Sequence, residues 1–90
     1  MDPAYYEEIA GRLHGLLIRL DDRLAVEAMT EIAQAINHNE LGIALEWIAF
    51  ALSEDEQPLS ADERADMLAL VERMEMDDRV PRALALCPTT

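Results

Sequence analysis

Glu40-Leu41-Gly42-Ile43-Ala44-Leu45-Glu46-Trp47-Ile48-Ala49-Phe50-Ala51-Leu52 is the stretch whose reading decides the fold. Leu41, Leu45, Ile48 and Leu52 recur at helical spacing and form one apolar stripe. Ile43, Trp47 and Phe50 form a second stripe nearly opposite. A helix that is apolar almost all round belongs at the centre of its domain. The expected fold is therefore all-α, with this third helix as the spine of a compact bundle. Helices one, two and four are expected to pack against it. Trp47 and Phe50 are expected inside the bundle, because an exposed Ile43-Trp47-Phe50 patch invites aggregation. The competing reading makes that stripe an exposed contact surface, since tryptophan is enriched at such sites.

Upstream, Asn37-His38-Asn39 marks a break. Before it, Arg23 to about Ile36 reads as helix two, with Ala25, Ala28, Met29, Ile32 and Ile36 on its apolar face. Asp21-Asp22 supplies a stop and a fresh N-cap. Helix one is expected from Pro3 to about Leu20. Asp2 caps it, Pro3 suits the first helical position, and Tyr6, Ile9, Leu13, Leu16, Leu17 and Leu20 face inward.

Downstream, Ser53-Glu54-Asp55-Glu56-Gln57-Pro58 reads as an acidic loop. Ser60 and Glu63 then form a capping box that opens helix four. Met67, Leu70, Val71 and Met74 are its inward residues. A short fifth helix from Pro81 to Leu86 is expected to close one end with Val80, Leu84 and Leu86. Cys87-Pro88-Thr89-Thr90 reads as a frayed tail. The whole of residues 1–90 reads as a single domain of four main helices plus a short C-terminal one.

Composition narrows the function. The net charge is −12, from 19 acids against 7 arginines, with no lysine. Direct nucleic-acid binding and attachment to an anionic membrane are disfavoured, because both need cations. No run approaches the roughly 20 apolar residues of a membrane span. The single cysteine, Cys87, has no internal disulfide partner, and the N-terminal residues have no signal-peptide layout, so a cytoplasmic location is the expectation.

Few residues suggest reaction chemistry. His14 and His38 have no Cys or His at metal-ligand spacing and read as exposed side chains. Cys87 has no neighbouring base. Glu54-Asp55-Glu56 lacks the spaced oxygens and central glycine of a cation loop and reads as a solvated run. No phosphate-binding glycine loop is present. Gly11 and Gly15, with Ile18, lie opposite the core stripe of helix one. They read either as a groove for a close-packing helix or as tolerated surface glycines. No enzymatic role, cofactor or metal is expected.

Charge is laid out unevenly. Between Arg23 and Arg64 the chain holds no arginine, and all seven lie toward its ends. A one-sign middle makes a directional field that speeds encounter with a cationic partner. Glu27, Glu31, Glu46, Glu54, Asp55, Glu56 and Asp62 are the candidate partner-binding residues. The loop acids Glu54, Asp55 and Glu56 are first choices for steering. Glu46 is the choice for a central contact, or alternatively supports internal structure.

The run Glu40-Leu41-Gly42-Ile43-Ala44-Leu45-Glu46-Trp47-Ile48, followed by Ala51-Leu52, the acidic loop and Pro58-Leu59-Ser60, resembles bacterial immunity proteins of the MafI type. Those small helical proteins show a Glu, a Gly and an Ala-Leu-Glu run in a central helix, then an acidic loop leading to Pro-Leu/Ile-Ser. The resemblance covers about Asn37 to Asp78. It implies a protein that binds and neutralises the toxic domain of a cognate polymorphic toxin, often a nuclease with a basic cleft. It also implies structural roles for Glu40, Gly42, Ala44, Leu45, Glu46 and Pro58. The alternative is a helical adaptor or DNA-mimic regulator that binds another basic protein.

Overall fold

The computed structural model describes residues 2–90. Two helices begin on local side-chain caps. α1 (Pro3–Arg19) is capped by Asp2, whose side chain accepts from the Ala4 N–H at 3.0 Å. α4 (Ala61–Arg73) opens on the expected capping box. The Glu63 N–H donates to Ser60 Oγ at 3.1 Å, and the Ser60 N–H donates back to Glu63 Oε1 at 2.9 Å. α2 (Val26–Asn37) and α3 (Leu41–Glu54) have no side-chain cap, so tertiary packing sets their starts.

Three breaks share one device. Asn39, Glu56 and Glu75 adopt left-handed φ values of 59°, 48° and 52°. The next N–H in each case returns to a carbonyl five residues back: Glu40 to Ala35 at 2.9 Å, Gln57 to Leu52 at 3.0 Å, and Met76 to Val71 at 3.0 Å. These are Schellman ends, which favour glycine at the left-handed position. Here two of the three carry glutamate.

α3 is the spine. Leu41, Ala44, Leu45, Ile48, Ala49 and Leu52 are buried on it, and its backbone closely approaches α1, α2 and α5 (Arg79–Leu84). α5 therefore takes the close approach expected of α4. Ala44 and Ala49 on α3 and Val80 and Ala83 on α5 are buried, and short side chains of this kind are compatible with so close an approach. The α4 backbone comes close to α5, and its polar ties to α1 run through side chains. Arg19 pairs with Asp66 at 2.6 Å, and Tyr5 Oη donates to the Arg73 carbonyl at 3.3 Å. No described helix is long and apolar enough to cross a membrane.

Several expectations need correction. Helix two starts at Val26, not Arg23, because Arg23 is drawn away into an ion pair. Its guanidinium donates to both carboxylate oxygens of Glu63 at 2.7 Å, to the Pro58 carbonyl at 3.0 Å and to the Arg19 carbonyl at 3.0 Å. Ala25, assigned to the apolar face, is exposed as a result. α3 runs two residues further than Leu52 and absorbs Ser53 and Glu54 from the acidic loop. The fifth helix starts earlier, at Arg79, and leaves Leu86 exposed.

The tail is docked rather than frayed. The Leu59 N–H donates to the Pro88 carbonyl at 2.9 Å, and the Thr90 N–H donates to the Leu59 carbonyl at 3.0 Å. Arg64 donates to the carbonyls of Leu84 and Cys87 and to Thr89 Oγ1, so an α4 side chain fastens it.

Candidate functional site

The packing of α3 turns one of its stripes outward. Ala44, Leu45, Ile48, Ala49 and Leu52 are fully buried, whereas Ile43, Trp47 and Phe50 remain 38%, 43% and 37% exposed. The expectation of an interior Trp47 and Phe50 is thus overturned. Ala44 and Ala49 flank the core stripe and are fully buried, and such short side chains suit close packing of neighbouring helices on that side. Trp47 and Phe50 are left half-covered along the α2–α3 seam, and Ile43 lies apart beside Met76.

Two adjoining hollows lie on that seam. The larger, about 280 Å³, is lined by Ala28, Glu31 and Ile32 of α2 and by Trp47, Phe50, Ala51 and Glu54 of α3. The smaller, about 150 Å³, is lined by Glu31, Gln34, Ala35, His38, Glu40 and Trp47. Glu31 and Trp47 line both. The floor is apolar or aromatic and the rim carries three carboxylates, Glu31, Glu40 and Glu54, all exposed.

No described cation balances this rim. Glu27, Glu31, Glu40, Glu54, Asp55, Glu56 and Asp62 form no ion pair among the described residues, whereas six of the seven arginines pair with acids or donate to carbonyls elsewhere. Asp55 caps the C-terminal end of α3, directly after Glu54, its last residue. Both sit where the helix dipole is negative and carboxylates are disfavoured.

The seven candidate residues are therefore not one patch. Glu31 and Glu54 share the larger hollow. Glu27, Asp55, Glu56 and Asp62 are exposed but line neither hollow. Glu46 lies elsewhere, in a hollow with Gly42, Ile43, Met76 and Asp77. It accepts from Arg79 at 3.3 Å, with its side chain 19% exposed. This is a contact within the chain, of the kind the alternative reading from the sequence raises. Glu40, His38 and Gln34 were not singled out as site residues. The available signal was spacing: Glu40, Trp47 and Glu54 recur every seven residues, which keeps them within about 20° per step of one line along a helix.

The residues to which the resemblance gives structural roles can be placed as well. Ala44 and Leu45 are buried. Pro58 offers its carbonyl to Arg23. Gly42 is not sterically required, since an added Cβ would meet only the Met76 side chain, at 3.9 Å. Gly11 and Gly15 face open space, with no neighbour within 4 Å of an added Cβ, and Ile18 beside them is exposed.

Reactive groups are sparse. Burial pushes the Cys87 thiol up, which keeps it protonated and poorly nucleophilic. His14 and His38 are exposed and far apart in sequence. Among the described residues no three His, Cys, Asp or Glu side chains are grouped to hold a metal ion. No protein-family model, curated protein or solved structure matches the chain.

Proposed function

We propose that this protein is an immunity-type inhibitor that binds a basic toxin domain through the face formed by α2, α3 and the turn at residues 54–56. One observation carries the reading. This face joins carboxylates without cationic partners to a half-exposed tryptophan and phenylalanine. Acids kept for solubility alone need no such company, and uncovered aromatics without a partner are an aggregation hazard. The resemblance to MafI-type immunity proteins covers Asn37 to Asp78, which takes in α3 and the turn but only the last residue of α2, and it supplies the class of partner. The protein acts by occlusion: covering a basic cleft excludes the anionic substrate from it. Rim carboxylates steer the encounter, and the aromatic seam supplies the apolar contact that slows dissociation.

The test replaces the three turn acids together, as Glu54→Gln, Asp55→Asn and Glu56→Gln. Association with any basic domain encoded beside this gene is then measured across ionic strength. The expected result is slower association with a shallower salt dependence and an unchanged helical spectrum. A rate and salt slope equal to those of the unaltered protein remove the turn from the mechanism. Failure of the intact protein to bind any basic domain encoded beside it removes the reading.

A further inference from the structure

The two hollows on the α2–α3 seam differ in chemistry. The larger is floored by Ala28, Ile32, Phe50 and Ala51, side chains that suit an aliphatic group. The smaller has fewer apolar side chains in its lining, with Glu31, Gln34, His38 and Glu40 around Ala35 and Trp47. Their separation follows from α2. The larger hollow uses its residues 28, 31 and 32, and the smaller uses 31, 34, 35 and 38. Along α2 the centres are offset by about four residues, roughly one helical turn of 5.4 Å, and along the α3 wall by more.

Resting on the reading above, we propose that this groove receives an amphipathic helical segment of the cationic partner. An aliphatic side chain fills the larger hollow. An arginine one turn away fills the smaller, its guanidinium stacked on Trp47 and paired with Glu31 and Glu40. Arginine suits this site better than lysine. Its planar, weakly hydrated head stacks on an indole while forking to a carboxylate, which a compact ammonium cannot do at once. Charge complementarity selects the occupant. An anionic segment meets three unpaired carboxylates. A second copy of this chain would set Glu31, Glu40 and Glu54 against the same acids, because a two-fold interface pairs a patch with itself. The aliphatic side chain and the arginine are neighbours on one helix face when spaced four apart, which matches the offset of the hollows along α2, and the length of the arginine side chain spans the rest.

The probe is an acetylated, amidated 15-residue alanine–glutamine peptide with a central leucine and an arginine four residues to either side. Either orientation then presents an arginine. Binding is read from the Trp47 indole N–H resonance and from tryptophan fluorescence, Trp47 being the only tryptophan in the chain. A saturable shift is expected. Replacing both arginines by citrulline, or the leucine by alanine, weakens it about tenfold, and lysine in place of arginine weakens it about threefold. Glu31→Gln weakens it about fivefold with the fold intact. No movement of the Trp47 resonance at millimolar peptide overturns the proposal, as does equal binding of the citrulline peptide. Concentration-dependent dimerisation that buries Trp47 without peptide overturns it in favour of a self-interface. The toxin domain separates this idea from the broader one. If Trp47→Ala and Glu31→Gln capture it normally while the triple turn variant does not, the groove assignment fails and the functional reading stands. If none of these variants affects capture, both fail.

Discussion

Where α1 meets α4, charge holds the chain together; where α2 meets α3, charge has nothing in the chain to hold. On the first side Arg19, Arg23, Arg64 and Arg73 are engaged by Asp66, Glu63, the tail carbonyls and Glu8, respectively. Arg73 also lies 4.5 Å above the Tyr5 ring. Each contact joins residues distant in sequence. On the second side the carboxylates face solvent beside uncovered aromatics, and two of them burden the wrong end of a helix. Residues on the first side explain the fold. Residues on the second side are neutral or unfavourable for it, which the proposed partner contact would explain.

The comparison can be tested by mutation, and the largest effect comes from the core beneath both sides. Leu45 is fully buried on α3, so Leu45→Ala should cost about 2–5 kcal/mol through lost burial and a residual cavity. Urea midpoints check this, and a change below 1 kcal/mol would mean that α3 is not the spine.

Next comes the clasp on the first side. The side chains of Arg23 and Glu63 are 17% and 10% exposed and joined by two hydrogen bonds. Arg23→Ala strands the Glu63 charge and should cost about 3 kcal/mol. The hydrogen bond from Arg23 holds the Glu63 carboxyl down, from its ordinary 4.5 to about 2, against the opposing effect of burial and with help from the Ser60 N–H. A depressed carboxyl stabilises the fold above its unfolded-state value and loses that contribution as pH falls. The gap between the unaltered protein and Arg23→Ala should therefore be full at neutral pH and shrink between about pH 4.5 and 2. A gap independent of pH across that window would show that the pair contributes nothing through ionisation.

A smaller effect belongs to the tail. Deleting residues 88–90 removes two backbone hydrogen bonds to Leu59 and one from Arg64, and should cost about 1–3 kcal/mol. Hydrogen exchange at the Leu59 amide should rise in step. Unchanged protection there would mean that the tail is not docked in solution.

The smallest effect separates the two sides most sharply. Glu56 and Glu75 both occupy left-handed helix ends, one in each half of the comparison. Glycine relieves that conformation, so Glu56→Gly and Glu75→Gly should each stabilise by about 0.5–1 kcal/mol. Only Glu56→Gly should also slow capture of a cationic partner. Equal effects of the two on capture would mean that the two sides do not differ in their use.

Much of the architecture was legible in advance. The 3.6-residue rhythm of Ile9, Leu13, Leu16 and Leu20, the Asp2 cap and the Ser60–Glu63 box are local signals, and each lies where expected. The start of α2 was less legible, because the Asp21-Asp22 signal for a cap at Arg23 competes with a bidentate partner 40 residues away. The same holds for the tail, whose partners are Leu59 and Arg64. The site was half legible. The acids could be counted, but which of them meet depends on how α2 and α3 are rotated about their axes.

The sequence by itself determined that this protein is helical, that its third helix is central, and that its middle is acidic without relief. Those follow from periodicity, capping and charge, which are properties of neighbouring residues. Only the tertiary structure decided that Trp47 and Phe50 face outward, that Glu46 turns to Arg79, and that Glu31 and Glu54 meet across a groove. An all-round apolar helix has two stripes that both satisfy the periodicity. The choice between them rests on which side lets neighbouring helices approach most closely, and on α3 that side is lined by Ala44 and Ala49.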